Sequence, residues 1–236
     1  MAEPMVLKPV FEGRHPLVDT VINNPKTVFR IESLCDEVEH QLNLLVAALL
    51  KRYKKEHLQS TLYSCLKELV VNAFKANAKQ VFFTEKNLDM QKLSDYDKGM
   101  AAFGRLLSEQ WIAEYSKKAK EQGLLIQISV EHTENGLRFE VGNSGQIFEE
   151  DEKRIRDKFS RGMECEDLVS FYLENADDTE GEGIGFALNV LLLKGEDINP
   201  ALFRVGSKDG LTMARLEIPF TPDFVSVRGD NPGSKA

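Results

Sequence analysis

Between Leu58 and Lys79 the chain reads LQSTLYSCLKELVVNAFKANAK, and what folds around it must accommodate both of its faces. At about 100° per residue, Glu68, Asn72, Lys75 and Lys79 fall within roughly 60° of one another on a helix. Leu62, Leu66, Leu69, Val70 and Ala73 occupy the opposite side. The apolar side asks for a sheet or a second helix to cover it. The polar side lines up a carboxylate, a carboxamide and two ammonium groups. On spacing alone the stripe also reads as a solvated helix face, with Glu68 and Lys75 making ion pairs worth tenths of a kcal/mol. The rest of the chain decides between the two.

Upstream, Pro4, Pro9, Pro16 and Pro25 among polar residues predict an arm or loop over residues 1–26. Thr27–Ile31 reads as a short strand and Glu32–His57 as helical. Ile31, Val38 and Leu45 are spaced by heptads, as are Cys35, Leu42 and Leu49, a seam that suits either a helical hairpin or a homodimer contact. Val81–Thr84 (VFFT) reads as a strand. In the segment 85–122, Ser94 with Asp97 offers a cap and Met100, Phe103, Leu107 and Trp111 have helical spacing. This insertion is either core packing or a docking face. Leu124–Glu131 and Leu137–Val141 flank Asn135-Gly136, a strong hairpin signal. After Gly142-Asn143-Ser144-Gly145 the chain turns charged and irregular to Glu180, with short helices expected at Glu149–Lys158 and Cys165–Asn175. Gly181-Glu182-Gly183-Ile184-Gly185 leads into an apolar helix, Phe186–Lys194. Strands Leu202–Ser207 and Leu211–Pro219 close the pattern, and the tail from Thr221 is expected to be loose. The order predicts an α+β two-layer sandwich, a mostly antiparallel sheet with helices on one face. It divides into an N-terminal arm and helix (1–57), a main domain (58–222) and a tail (223–236).

Acidic residues outnumber basic ones, 38 to 30, for a net charge of −8, which argues against a broad nucleic-acid surface. No apolar run approaches the roughly 20 residues of a membrane span, and the N-terminus lacks the order of a signal peptide. Cys35, Cys65 and Cys165 read as reduced thiols of a cytoplasmic protein rather than a disulfide frame or zinc site.

The glycines at 181, 183 and 185 let backbone N–H groups approach an anion with no Cβ in the way. They open a helix whose N-terminus favours a polyphosphate. Magnesium prefers oxygen ligands and keeps several waters, so one carboxamide with phosphate oxygens is sufficient to hold it. Three segments in order, Glu68–Lys75, Val141–Gly145 and Gly181–Gly185, resemble the asparagine-bearing helix and two glycine boxes of the Bergerat-fold (GHKL) ATP-binding proteins. That family includes the kinase domains of sensor histidine kinases, DNA gyrase, a heat-shock chaperone branch and the mismatch-repair MutL proteins. The resemblance covers roughly residues 58–220. It implies ATP and Mg2+ as ligands, Asn72 on the metal, Lys75 on a phosphate, and Glu68 positioning or deprotonating the attacking group. It further implies that Asn143 and Gly145 hold the base and that Phe159 packs the lid. It also implies that Arg161 reaches a phosphate and that Gly181, Gly183, Ile184 and Gly185 cradle the phosphates. Two departures stand out: Asn143 replaces the family's aspartate, and Ile147 stands where its second glycine is expected. Asparagine still accepts a hydrogen bond but not a charge-assisted one.

Three functions fit. One is an ATP-binding, histidine-kinase-like signalling protein, passing phosphate to a separate response-regulator-like partner. The second is an anti-sigma-type serine kinase acting on a transcription-factor-like partner. The third is a non-catalytic interaction protein that binds nucleotide weakly or not at all. His40 lies off the apolar seam, where a phosphoacceptor belongs, but only 32 positions before Asn72, too few for a full dimerisation unit.

Overall fold

The computed structural model describes residues 5–8, 15–106, 108–145, 147–165, 184–208 and 210–228. Its centre is a six-stranded mixed sheet in the order β1-β2-β3-β4-β6-β5. The strands are β1 (Val6–Leu7), β2 (Lys26–Ile31), β3 (Ile126–Thr133), β4 (Gly136–Ser144), β5 (Phe203–Lys208) and β6 (Leu211–Pro219). Only β1 and β2 pair in parallel; every other pairing is antiparallel. Seven helices are described: α1 (Pro16–Asn23), α2 (Asp36–Arg52), α3 (Gln59–Glu85), α4 (Leu93–Gly104), α5 (Glu109–Glu121), α6 (Glu149–Glu164) and α7 (Ile184–Gly195). The class is α+β. None of the described helices is long and apolar enough to cross a membrane.

Strand alternation assigns the two faces of the sheet. Leu137, Phe139 and Val141 of β4 and Ala214, Leu216 and Ile218 of β6 are buried in one core with Leu62, Leu66, Leu69 and Ala73 of α3. The opposite face is charged. Arg138 pairs with Glu131 and with Glu217, Arg215 with Glu140, and Lys26 with Glu131. Glu217 is 1% exposed and also accepts from Ser226 Oγ at 2.7 Å and Val227 N at 3.0 Å. Burial raises its pKa, but Ser226, the Val227 N–H and Arg138 outweigh that and hold it below the usual carboxylate range.

The N-terminal region is more structured than the prolines suggest. Pro16 occupies the first turn of α1, where no N–H is needed, and the His15 ring accepts from Leu17 N at 3.0 Å. The heptad seam is filled within the chain: Val38, Leu42, Leu45 and Leu49 of α2 lie in the same core as α1 and α3. The expected strand Val81–Thr84 is instead the last turn of α3. Val81, Phe82 and Phe83 are all buried, because α4 and α5 cover this end of the helix on the side away from the sheet. The insertion forms two helices, and its cap differs from expectation: Lys92 precedes α4, while Ser108 Oγ caps α5 by accepting from Trp111 N. Gly123, at φ +74°, makes the turn out of α5 into β3, a conformation glycine adopts without a Cβ penalty. The tail is anchored as far as Ser226, since Phe224 and Ser226 are buried, with Phe224 over Gly136. Of the expected helix Cys165–Asn175, all but Cys165 lies outside the described residues.

Candidate functional site

Where α3 crosses β4 beneath α6, a cavity of about 180 Å³ remains. Asn72 and Lys75 line it from α3, and Asn143 and Gly145 from the end of β4. Two segments separated by some seventy positions thus converge on one space. Gly145 sits at φ +100°, and a Cβ there would stand 2.9 Å from Gln80 Oε1. The positive φ favours glycine here, while the Gln80 amide, at the end of a flexible side chain, can move aside.

The α3 stripe is tied down at both ends. Asn72 Nδ2 donates to Glu68 Oε1 at 3.1 Å, which leaves Asn72 Oδ1 as the available acceptor on the cavity wall. Glu68 lies against the first turn of α7: a Cβ on Gly185 would overlap its Oε1 and Cδ and stand 2.6 Å from its Cγ. A carboxylate at a helix N-terminus is favoured by the unsatisfied N–H groups there. Glu68 therefore rests where the glycine box is expected to receive phosphate. One turn back, burial and then Glu68 push the Cys65 thiol up to about 12, so it is an inert core residue. At the other end, Lys79 Nζ donates to Asp151 of α6 at 2.7 and 2.6 Å, and Tyr96 OH of α4 donates to Asp151 Oδ1 at 2.6 Å. This knot ties α3, α4 and α6 together and closes one side of the cavity.

Asn143 is 6% exposed and donates to Ser144 O at 3.1 Å and Asn77 Oδ1 at 3.5 Å. Asn77 Nδ2 in turn donates to Leu125 O at 3.4 Å. With its N–H groups engaged, Asn143 has its carbonyl oxygen left as an acceptor. Thr212, paired across from Asn143, donates to Gly145 O at 3.0 Å and lines the cavity too.

Other expected site residues lie elsewhere. Phe159 of α6 packs on Phe186 and Phe203, with ring centroids 6.0 and 4.9 Å away. It anchors α6 to the core, and Phe186 rather than Phe159 reaches the cavity wall. Arg161 is an exposed residue of α6 that does not line the cavity, whereas Lys158, one turn earlier, does. Ile184 opens α7; Gly181 and Gly183 lie outside the described residues, as does the acidic stretch around them. His40 is exposed on α2.

Sequence reading missed Asp151, Tyr96, Asn77 and Thr212. Asn77 lies about 140° round α3 from Asn72, on the side that meets Leu125 O. Asn189 of α7 was also missed: it is 1% exposed, and among the described residues neither amide atom has a partner.

No protein-family model matches the chain, and no solved structure matches it. An uncharacterized protein of Treponema pallidum (strain Nichols) is 30% identical over 163 residues. The match takes in 69% of this chain and 32% of the relative, so the chain spans about a third of that protein's length.

Proposed function

We propose that this protein binds ATP with magnesium in the cavity between α3, β4 and α6. We read it as a Bergerat-type, histidine-kinase-like signalling protein of the cytoplasm that slowly hydrolyses ATP or passes its terminal phosphate to a separate protein. One observation supports this most. Asn72, Lys75, Asn143 and Gly145 come from two distant segments and meet around one cavity, with the first turn of α7 beside Glu68. In this reading the Asn143 carbonyl takes the amino group of the base and Lys75 takes a phosphate.

The donor set fits magnesium held jointly with phosphate. No group of three His, Cys, Asp or Glu side chains capable of holding a metal exists among the described residues. Asn72 Oδ1, with Glu68 one turn away, would supply the one or two oxygens such an ion takes from protein. When bound, the ion would neutralise phosphate charge. Glu68 would leave the first turn of α7 as phosphate arrives and accept the proton of the attacking group.

A second reading, a non-catalytic interaction protein with weak nucleotide affinity, is favoured by cavity size. About 180 Å³ falls below the roughly 300–1,000 Å³ of most ligand pockets, and the Lys79–Asp151–Tyr96 knot holds α6 down. An anti-sigma-type serine kinase shares the site chemistry and differs in its acceptor.

Thermal unfolding with millimolar Mg-ATP tests the proposal. We expect a raised Tm, abolished in Asn72→Ala, and phosphate release that falls in Glu68→Gln. No shift with wild type would favour the non-catalytic reading, and equal turnover in Glu68→Gln would remove Glu68 from the chemistry.

A further inference from the structure

The side of the sheet turned away from the cavity carries charges that the strand register sets in rows. Lys26, Glu131, Arg138 and Glu217 stand opposite one another across β2, β3, β4 and β6. Their signs alternate, and each neighbouring pair is an ion pair. The next row runs Val28, Ser129, Glu140, Arg215 and Arg204, ending on β5. Here the alternation fails. Glu140 holds Arg215 at 2.6 Å, and Arg204 then stands directly opposite Arg215. Like charges directly opposite one another destabilise a strand pair.

Arg204 has no ion pair and no side-chain hydrogen bond among the described residues, and neither has Arg228. Burial, and then the charge of Arg228, hold the Arg204 pKa below its ordinary value; Glu217 opposes this and Arg215 adds to it. Two cations and one carboxylate therefore act on Arg204, and that carboxylate is already taken. Glu217 accepts from Arg138, Ser226 Oγ and the Val227 N–H. Glu134 and Asp223 lie at the other end of the face, by the β3–β4 hairpin, where Phe224 covers Gly136. The β5 edge is thus left with two unmatched guanidinium groups on a chain of net charge −8.

The surface around them is open and partly apolar. Gly206, two residues along β5 from Arg204 and on the same face, is exposed, and a Cβ there would meet nothing within 4 Å. Met213 stands opposite it. On the other side of Arg204 runs the segment 224–228, fixed by buried Phe224 and Ser226, with Val225 and Val227 exposed. A nucleic-acid backbone asks for a run of cations along its phosphates. Two arginines bordered by Glu140 and two valines suit a shorter acidic and apolar chain.

We propose that this face docks an acidic peptide segment of a partner protein, lying across β6 and β5 beside residues 224–228. Its carboxylates pair with Arg204 and Arg228, and its apolar side chains lie on Val227 and over Gly206. The surface is on the opposite side of the sheet from the cavity and stands independently of the nucleotide reading.

Fluorescence anisotropy tests it with three labelled nine-residue peptides in which leucine alternates with glutamate, glutamine or lysine, and with a labelled oligothymidine. Arg204→Gln with Arg228→Gln removes the unmatched cations. Gly206→Trp fills the open floor and leaves charge unchanged. Lys51→Gln with Lys98→Gln makes the same change of net charge at exposed positions of α2 and α4. We expect only the glutamate peptide to bind wild type. Its affinity should fall at least tenfold in the arginine variant and in Gly206→Trp, and stay within twofold in the lysine variant. Arg204→Gln alone should keep or raise the wild-type Tm, which separates lost binding from lost folding. No binding by wild type, or equal binding by wild type and either the arginine variant or Gly206→Trp, would overturn the proposal. So would an equal loss in the lysine variant, a glutamine peptide that binds as tightly, or a lowered Tm in Arg204→Gln. Oligothymidine bound more tightly than the glutamate peptide, and lost in the arginine variant, would give the face to nucleic acid instead.

Discussion

Replacing Gly185 by alanine probes the closest approach in the site. Gly185 is the second residue of α7, and alanine there would ordinarily stabilise the helix by about 0.5–1 kcal/mol. Here the added methyl would overlap the Glu68 carboxyl and stand 2.6 Å from its Cγ. The whole outer half of Glu68 must swing away, breaking the 3.1 Å bond from Asn72 and removing the carboxylate from the start of α7. A hydrogen bond to a charged group is worth about 1.5–3 kcal/mol, and a charge at a helix terminus about 0.3–1 kcal/mol. Set against the helix gain, Gly185→Ala should cost about 1–3 kcal/mol. In Glu68→Ala the obstacle is absent, and the same change should be neutral or stabilising by up to about 1 kcal/mol. Urea midpoints at constant m-value for the four proteins of the cycle give the coupling. A sign change between the two backgrounds is the expected result. Equal destabilisation in both would refute the contact between Glu68 and α7.

Two further perturbations test the scaffold on either side of the sheet. Gly99 of α4 lies against Phe83 of α3: a Cβ would overlap Cζ and stand 2.6 and 2.8 Å from Cε1 and Cε2. Gly99→Ala should therefore cost about 1–3 kcal/mol in urea titration, as overpacking does, and Phe83→Leu in the same chain should recover part of it. On the far face of the sheet, the pKa of Glu217 is held below its unfolded value of 4.5. Its contribution is present above that pH and is lost as pH falls through the folded-state pKa. Glu217→Gln should be less stable than wild type at pH 7 by about 1–3 kcal/mol, and the gap should narrow below about pH 4.5. A gap that does not change with pH would show that the carboxylate charge is not what is being lost.

Much of the fold could be read from the chain because local signals agreed with each other. The Asn135-Gly136 turn, the alternation of Leu137, Phe139 and Val141, and the paired faces of α3 needed no tertiary knowledge. Val81–Thr84 misled because three consecutive buried apolar residues look the same in a strand and in a helix covered on two sides. Only the position of α4 and α5 resolves it. In the site, Asn72, Lys75, Asn143 and Gly145 were legible as residue types at ordered positions. The Lys79–Asp151–Tyr96 knot was not, since it joins three elements through side chains whose spacing carries no pattern. Arg161 lies off the cavity, and Lys158 and Arg154 are the cations of α6 that line it.

Isothermal titration of Mg-ATP into wild type and Asn72→Ala measures the central claim directly. Asn72 touches Glu68 and the cavity wall but is not a core residue, so its truncation should leave the fold intact. We expect saturable binding at one site in wild type and a loss of at least tenfold in Asn72→Ala, with both proteins unfolding cooperatively. Equal affinity in the two, or no heat with wild type at millimolar nucleotide, would contradict it.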